Sequence, residues 1–191
     1  MTGDHLQIVV CGAGPAADVT QLVRAAHDRA WTAAVTATPN AMNFIEPETI
    51  ESLTGQPVRS TYRSSPGARR SLPAADALIV APATYNSINK IALGLADNYA
   101  MTSVAELIGR QVPTVIVPFV NAALAGRLPF RRAVASLRHE GVRVLLGPEE
   151  QWEPHPPGGG DERQRVFPWA NAFEVAAKCA HEVRVSAAGQ Q

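Results

Sequence analysis

Four short apolar runs in this chain each stop at a cluster of glycines, hydroxyls or amides, and a helical pattern follows each stop. The runs are "LQIVVCGAG", "TAAVTAT", "ADALIVAP" and "VPTVIVPFV". They are one strand long and carry many β-branched residues, as strands buried on both faces do. Between them lie stripes at helical spacing, such as Val19, Leu22, Val23 and Ala26 behind Pro15. Parallel strands need crossovers, and a helix is the usual one. The alternation therefore predicts an α/β fold of three layers, a parallel sheet with helices on both faces. "VRVLLG" supplies a final strand, and "PVRSTY" is a candidate third strand in chain order. "PNAMNFIEPETIESLTG" gives one or two helical turns interrupted by Pro47. "FPWANAFEVAAKCAHEVRV" predicts a last helix that buries Ala170, Phe173, Ala176 and Ala177.

The 191 residues suit a single domain, spanning 1–191. The 17 basic and 17 acidic side chains cancel, which leaves no electrostatic footprint for nucleic acid or an anionic membrane. Zero net charge also weakens repulsion between copies and favours a homo-oligomer. Cys11 and Cys179 are too few for a disulfide framework and lack metal-ligand spacing, so no metal is expected. The first apolar run is too short for a secretion signal or a membrane span, and the expected location is cytoplasmic.

"CGAGPAA" fits a glycine turn between a strand and a helix, the place where backbone N–H groups meet a phosphate. Gly12, Gly14, Pro15 and Ala16 form its centre. A dinucleotide fold also wants an acidic residue at the end of the second strand to hold a ribose diol. Here that segment reads "WTAAVTATPN", which offers Thr36, Thr38 and Asn40 and no acid. Neutral donors suit a second phosphate contact, so a mononucleotide is expected. Ligands of open parallel sheets lie beyond the carboxyl ends of the strands. Gly12 to Ala17, Thr36 to Asn40, Thr84 to Asn89, and Asn121 all fall at such ends. Ser, Thr and Asn are also common helix caps, and Asn86 or Ser87 suits a cap after Pro82. Their recurrence on one edge favours a ligand.

"APATYNSINKIALGLADN" resembles two consecutive blocks, P-A-S-A-N-T and I-A-K-I-A-x-G-x-A-D-N, of the homo-oligomeric flavin-containing cysteine decarboxylase (HFCD) family. That family includes phosphopantothenoylcysteine decarboxylase and the lantibiotic peptidyl-cysteine decarboxylases. A further block, P-x-M-N-x-x-M, is met in part by "PFVNAAL": Pro118 and Asn121 agree, and Val120 and Leu124 replace methionines. The resemblance runs from about residue 6 to 146. It implies a Rossmann-like (flavodoxin-like) fold with FMN bound noncovalently between the subunits of a trimer, and trimers sometimes gathered into a dodecamer. It also implies a flavin-dependent decarboxylase or lyase acting on a small-molecule or peptide substrate that carries a thiol and a carboxylate. On this resemblance Gly12, Gly14, Pro15, Ala16, Thr36 and Thr38 hold the phosphate. Ala83, Thr84, Asn86 and Ser87 line the flavin and its ribityl chain. Asn121 takes the catalytic role of holding the substrate carboxylate, and an uncharged amide suits a group that must leave as neutral CO₂.

The chain departs from the family at its base. The family histidine falls near Ala68 here, and no histidine lies between His27 and His139. Arg69 and Arg70 stay protonated and do not act as ordinary bases. The late segment 147–165 also lacks the family's cysteine, which argues against the pantothenate-pathway role. Its prolines and Gly-Gly-Gly run predict a flexible segment without regular structure, either a solvated linker or a flap carrying Trp152 and His155. His155 reads there as a solvated loop histidine. Two alternatives stand beside the decarboxylase: a catalytically silent FMN-binding protein of assembly or regulation, and a flavin prenyltransferase.

Overall fold

A computed structural model describes residues 3–62 and 73–189. Five strands form one sheet: β1 (His5–Val10), β2 (Thr32–Ala37), β3 (Ala77–Ala83), β4 (Thr114–Pro118) and β5 (Arg143–Val144). All neighbours pair in parallel, in the order β2-β1-β3-β4-β5. This is the flavodoxin-like order, in which the chain winds one way from β1 and then returns to wind the other way. The reversal falls between β1 and β3, where the two outgoing connections part and leave a crevice.

Among the described residues there are eight α-helices: α1 (Thr20–His27), α2 (Pro47–Thr54), α3 (Tyr85–Ala92), α4 (Tyr99–Gly109), α5 (Ala122–Ala125), α6 (Leu128–His139), α7 (Gly160–Arg165) and α8 (Trp169–Ala188). Alternation along β1 divides the core in two. Leu6, Ile8 and Val10 face α1 and α8, packing with Leu22, Val23 and Phe173. Val9 and Cys11 face α3, α4 and α6, packing with Ile88, Val104 and Phe130. Three layers result, as the alternation of patterns predicts. Among the described residues no helix is long and apolar enough to cross a membrane.

Several local expectations are corrected. "PVRSTY" contributes one bridging residue and no strand: the Arg59 N–H donates to the Val35 carbonyl, and the Ala37 N–H donates to that of Arg59. Pro57 has no N–H to extend the ladder. Pro47 opens α2 at its first turn, where a missing N–H costs nothing, and does not interrupt it. The inward stripe of α8 is Trp169, Ala172, Phe173, Ala176 and Ala180, because the edge contact of Phe173 with Trp31 sets the helix rotation. Ala170 is exposed and Ala177 only half-buried.

Segment 147–165 is also more regular than its composition suggests. It holds a 3-10 turn at Pro148–Glu150 and the helix α7, with Pro154, Pro156, Pro157, Gly158 and Gly159 between them. Buried aromatics anchor it. The Trp152 indole N–H donates to the Pro118 carbonyl at 2.7 Å, and its ring meets Phe167 edge-on.

β1 begins at a buried histidine. The His5 backbone N–H donates to Asp76, and ring Nδ1 lies 2.8 Å from the Thr32 hydroxyl, which itself donates to the Asp4 carbonyl. Nδ1 therefore carries the proton. Nε2 is buried with no partner among the described residues. Burial pushes the His5 pKa below its ordinary value, and the Asp76 carboxylate opposes this only in part. The native state thus resists a proton that the unfolded chain accepts below about pH 6.5. The His5 contribution to stability is present above that pH and is lost as the pH falls below it. Urea denaturation of wild type and His5→Gln across this range should show a shallower acid loss for the variant, and equal slopes would refute the assignment.

Candidate functional site

The carboxyl ends of β1, β2 and β3 open onto a cleft of about 450 Å³ lined by Gly12, Thr38, Thr84, Asn86, Ser87 and Asn98. That volume lies within the ~300–1,000 Å³ range of ligand sites. Two backbone bonds draw its walls together. The Cys11 N–H donates to the Pro82 carbonyl, and the Thr38 N–H donates to that of Val10. A Cβ on Gly12 would lie 3.1 Å from the Asn40 backbone, so glycine is what lets these two loops meet. A Cβ on Gly14 would lie 2.3 Å from the Gln164 side-chain oxygen, because α7 seats on this turn. Pro15 and Ala16 are buried within the same turn, Gly14–Asp18.

Thr84 ends β3 and caps α3. Its hydroxyl oxygen accepts from the Ser87 N–H at 3.1 Å and lies 2.9 Å from the Ser87 hydroxyl. The sequence suits Asn86 or Ser87 as the cap; they are instead the second and third residues of the helix, because the strand runs as far as Ala83. Asn86 is exposed on the first turn, free to meet a ligand. Beneath Ser87 lies the fully buried Cys11. Burial raises its pKa, against hydrogen bonds to the Ser87 side chain and the Thr84 backbone, so it is a neutral packing thiol. At the rim Lys90 donates to Asp97 at 2.5 Å, and this bond holds the Asp97 carboxyl below its usual range. The two charges cancel. What remains exposed to a ligand is a wall of neutral donors and acceptors.

Six expected residues converge here: Gly12, Thr38, Asn40, Thr84, Asn86 and Ser87. Gly14, Pro15 and Ala16 make the adjoining turn. Thr36 lies below the cleft with its hydroxyl accepting from Gln7 at 3.2 Å. Ala83 is fully buried, and its carbonyl accepts from the Phe119 N–H. Asn121 stands beyond β4, where its Oδ1 caps α5 by accepting from the Leu124 N–H at 2.9 Å. Ala68, Arg69 and Arg70 lie outside the described residues. Sequence reasoning missed Lys90, Asp97 and Asn98 as lining residues. The signal was present, since Asn98 stands directly before a helical pattern and caps α4 through the Met101 N–H. Among the described residues no cluster of His, Cys, Asp and Glu could hold a metal.

The family model described as Flavoprotein matches residues 1–157. The chain is 23% identical over 159 residues to the coenzyme A biosynthesis bifunctional protein CoaBC of Haemophilus influenzae, covering 80% of this chain and 38% of that protein. It thus spans little more than a third of that curated relative. The crystal structure of the FMN-dependent cysteine decarboxylase SpaF superposes with a TM-score of 0.64 at 26% identity, over 92% of this chain and 98% of the other. The cypemycin decarboxylase CypD superposes with a TM-score of 0.71 at 20% identity, over 95% and 96%, a likeness of fold.

The two glycines of the turn should respond differently to a methyl group. Gly12→Ala pushes backbone against backbone and should destabilise by about 1–3 kcal/mol. Gly14→Ala meets only the end of a long side chain that can rotate away, and should cost less than about 1 kcal/mol. Urea denaturation of both variants measures this, and equal losses would contradict the close approach at Asn40.

Proposed function

Because the chain belongs to the Flavoprotein family, we propose that it binds FMN in the cleft beside β1 and β3 and works as a flavin-dependent decarboxylase on a thiol-bearing carboxylate. The observation that carries this reading is the neutral lining of a cleft placed at the switch point of the sheet. The group fits the residues present. Gly12 brings backbone close enough to meet a phosphate, and the Thr38 hydroxyl stands across from it. Thr84, Asn86 and Ser87 offer uncharged partners to a ribityl chain and a flavin edge. Bound FMN supplies a two-electron acceptor, which is the difficult part of such a reaction.

The protein's own residues bind and orient. Asn121 commits its carbonyl oxygen to α5, so its amide nitrogen is the group left for a substrate carboxylate. A neutral donor holds that carboxylate without a full cation to oppose the departure of CO₂. The substrate is a peptide ending in cysteine or a small thiol-carboxylate, and the assembly is a homotrimer or a dodecamer with the cofactor between subunits. A second reading, an FMN-binding protein of assembly or regulation, is favoured by one observation: no histidine lies between His27 and His139.

Purified protein should be yellow, and Asn86→Leu should lose the colour. A peptide ending in cysteine should lose the mass of CO₂ and two hydrogens. Folded, colourless protein that refuses added FMN would overturn the proposal, and flavin binding without turnover of any thiol would select the second reading. Asn121→Asp should keep the flavin and weaken an anionic substrate at least about tenfold, roughly 1.4 kcal/mol. Loss of flavin in that variant would make Asn121 a cofactor contact.

A further inference from the structure

His155 is not the solvated loop histidine that its surroundings in the sequence suggest. Its backbone is sewn to the segment that carries Asn121: the Ala122 N–H donates to the His155 carbonyl at 2.8 Å, and the His155 N–H donates to that of Val120 at 3.3 Å. Asn121 and His155 thereby form a parallel bridge one residue long. The imidazole lies against Phe119, ring centres 5.0 Å apart. The same Phe119 ring reaches to 3.9 Å of where a Cβ on Gly14 would stand. The histidine is therefore held on the edge of the sheet where the strands end, beside the residue assigned to the substrate.

Its ring is also oriented. Nδ1 lies 2.8 Å from the Pro156 carbonyl oxygen. A carbonyl only accepts, so Nδ1 carries a proton, and in the neutral ring Nε2 is the nitrogen with the lone pair. Gly160 packs beside that edge of the ring, where a Cβ would stand in contact at 3.6 Å from Cε1 and 3.9 Å from Nε2, and the ring as a whole is only half-buried. The ring borders a pocket of about 510 Å³ shared with Glu153, Glu162 and Arg163. That pocket is distinct from the cleft beside β1 and β3 and shares no lining residue with it, so the bridge to Asn121 is what ties His155 to the substrate. Arg163 is turned onto the Trp152 ring, 4.0 Å from its centre.

We infer that His155 is the proton acceptor of this site, taking the thiol proton of the substrate onto Nε2. This rests on the functional reading above and supplies the base that the first 138 residues lack after His27. In the step, the substrate S–H bond breaks and an Nε2–H bond forms. The neutral imidazole becomes a cation, the thiol becomes a thiolate, and no electrons change hands. A base that arrives on segment 147–165 reaches the substrate together with the wall that encloses it.

Histidine-selective nitrogen NMR of the labelled protein tests this, with His155 assigned by its absence in His155→Asn. The free protein should show the Nδ1–H tautomer. Adding a peptide ending in cysteine at mildly alkaline pH should convert His155 to the imidazolium, and the same peptide ending in serine should leave it neutral. An Nε2–H tautomer, or a ring still neutral at saturating cysteine peptide, overturns the inference. His155→Asn should keep its colour and release CO₂ at least about a hundredfold more slowly, the usual loss for a general base. An undiminished rate overturns it as well. A colourless wild-type protein would instead refute the flavin reading, and the NMR arms separate the two failures.

Discussion

β1 hydrogen-bonds to a neighbour along both edges, with Val9 level with Thr36 on one side and Val80 on the other. A buried strand cannot leave its N–H and C=O groups unpaired without losing roughly 1–3 kcal/mol at each. That obligation aligns three strands in register and brings their carboxyl ends out at one level. The two sides leave β1 by connections of opposite direction, so nothing fills the space above it. The cleft is a consequence of satisfying the backbone, and the polar residues only decorate an opening that the pairing has made.

The same residues serve the helices and the cleft. Thr84, Asn98 and Asn121 each accept a hydrogen bond from the N–H three residues on. Each such cap stabilises its helix by about 1 kcal/mol. Capping and ligand binding are not competing explanations here. Thr84 and Asn121 stand where a strand hands over to a helix, and in a parallel sheet every such handover lies on the ligand-binding edge; Asn98, between α3 and α4, is brought to the same cleft by the turn that joins those helices. One geometric position imposes both duties, and an amide or hydroxyl can meet them with different atoms.

What was legible in the sequence follows from the range of the forces. The first four strands and the helices between them were readable because hydrophobic period and turn residues are local. The polar strand ends were readable for the same reason, and six of the expected residues share the cleft. Long-range contacts were not readable. The Trp152 indole reaches a carbonyl 34 residues away, and nothing in "GPEEQWEPHPPGGGDERQR" announces that partner. The rotation of α8 depends on Trp31, far back in the chain. His155 looked solvated because its partners, Val120 to Ala122, are visible only once β4 is in place.

The order in which segment 147–165 is fastened has a mechanical result. Trp152 within it and Phe167 just beyond it are sunk in the core, whereas α7 between them buries no residue. Local opening follows the weakest packing, which here is α7, while Trp152, Phe167 and the backbone bonds of His155 hold on either side of it. The arrangement is that of a belt buckled at either hip.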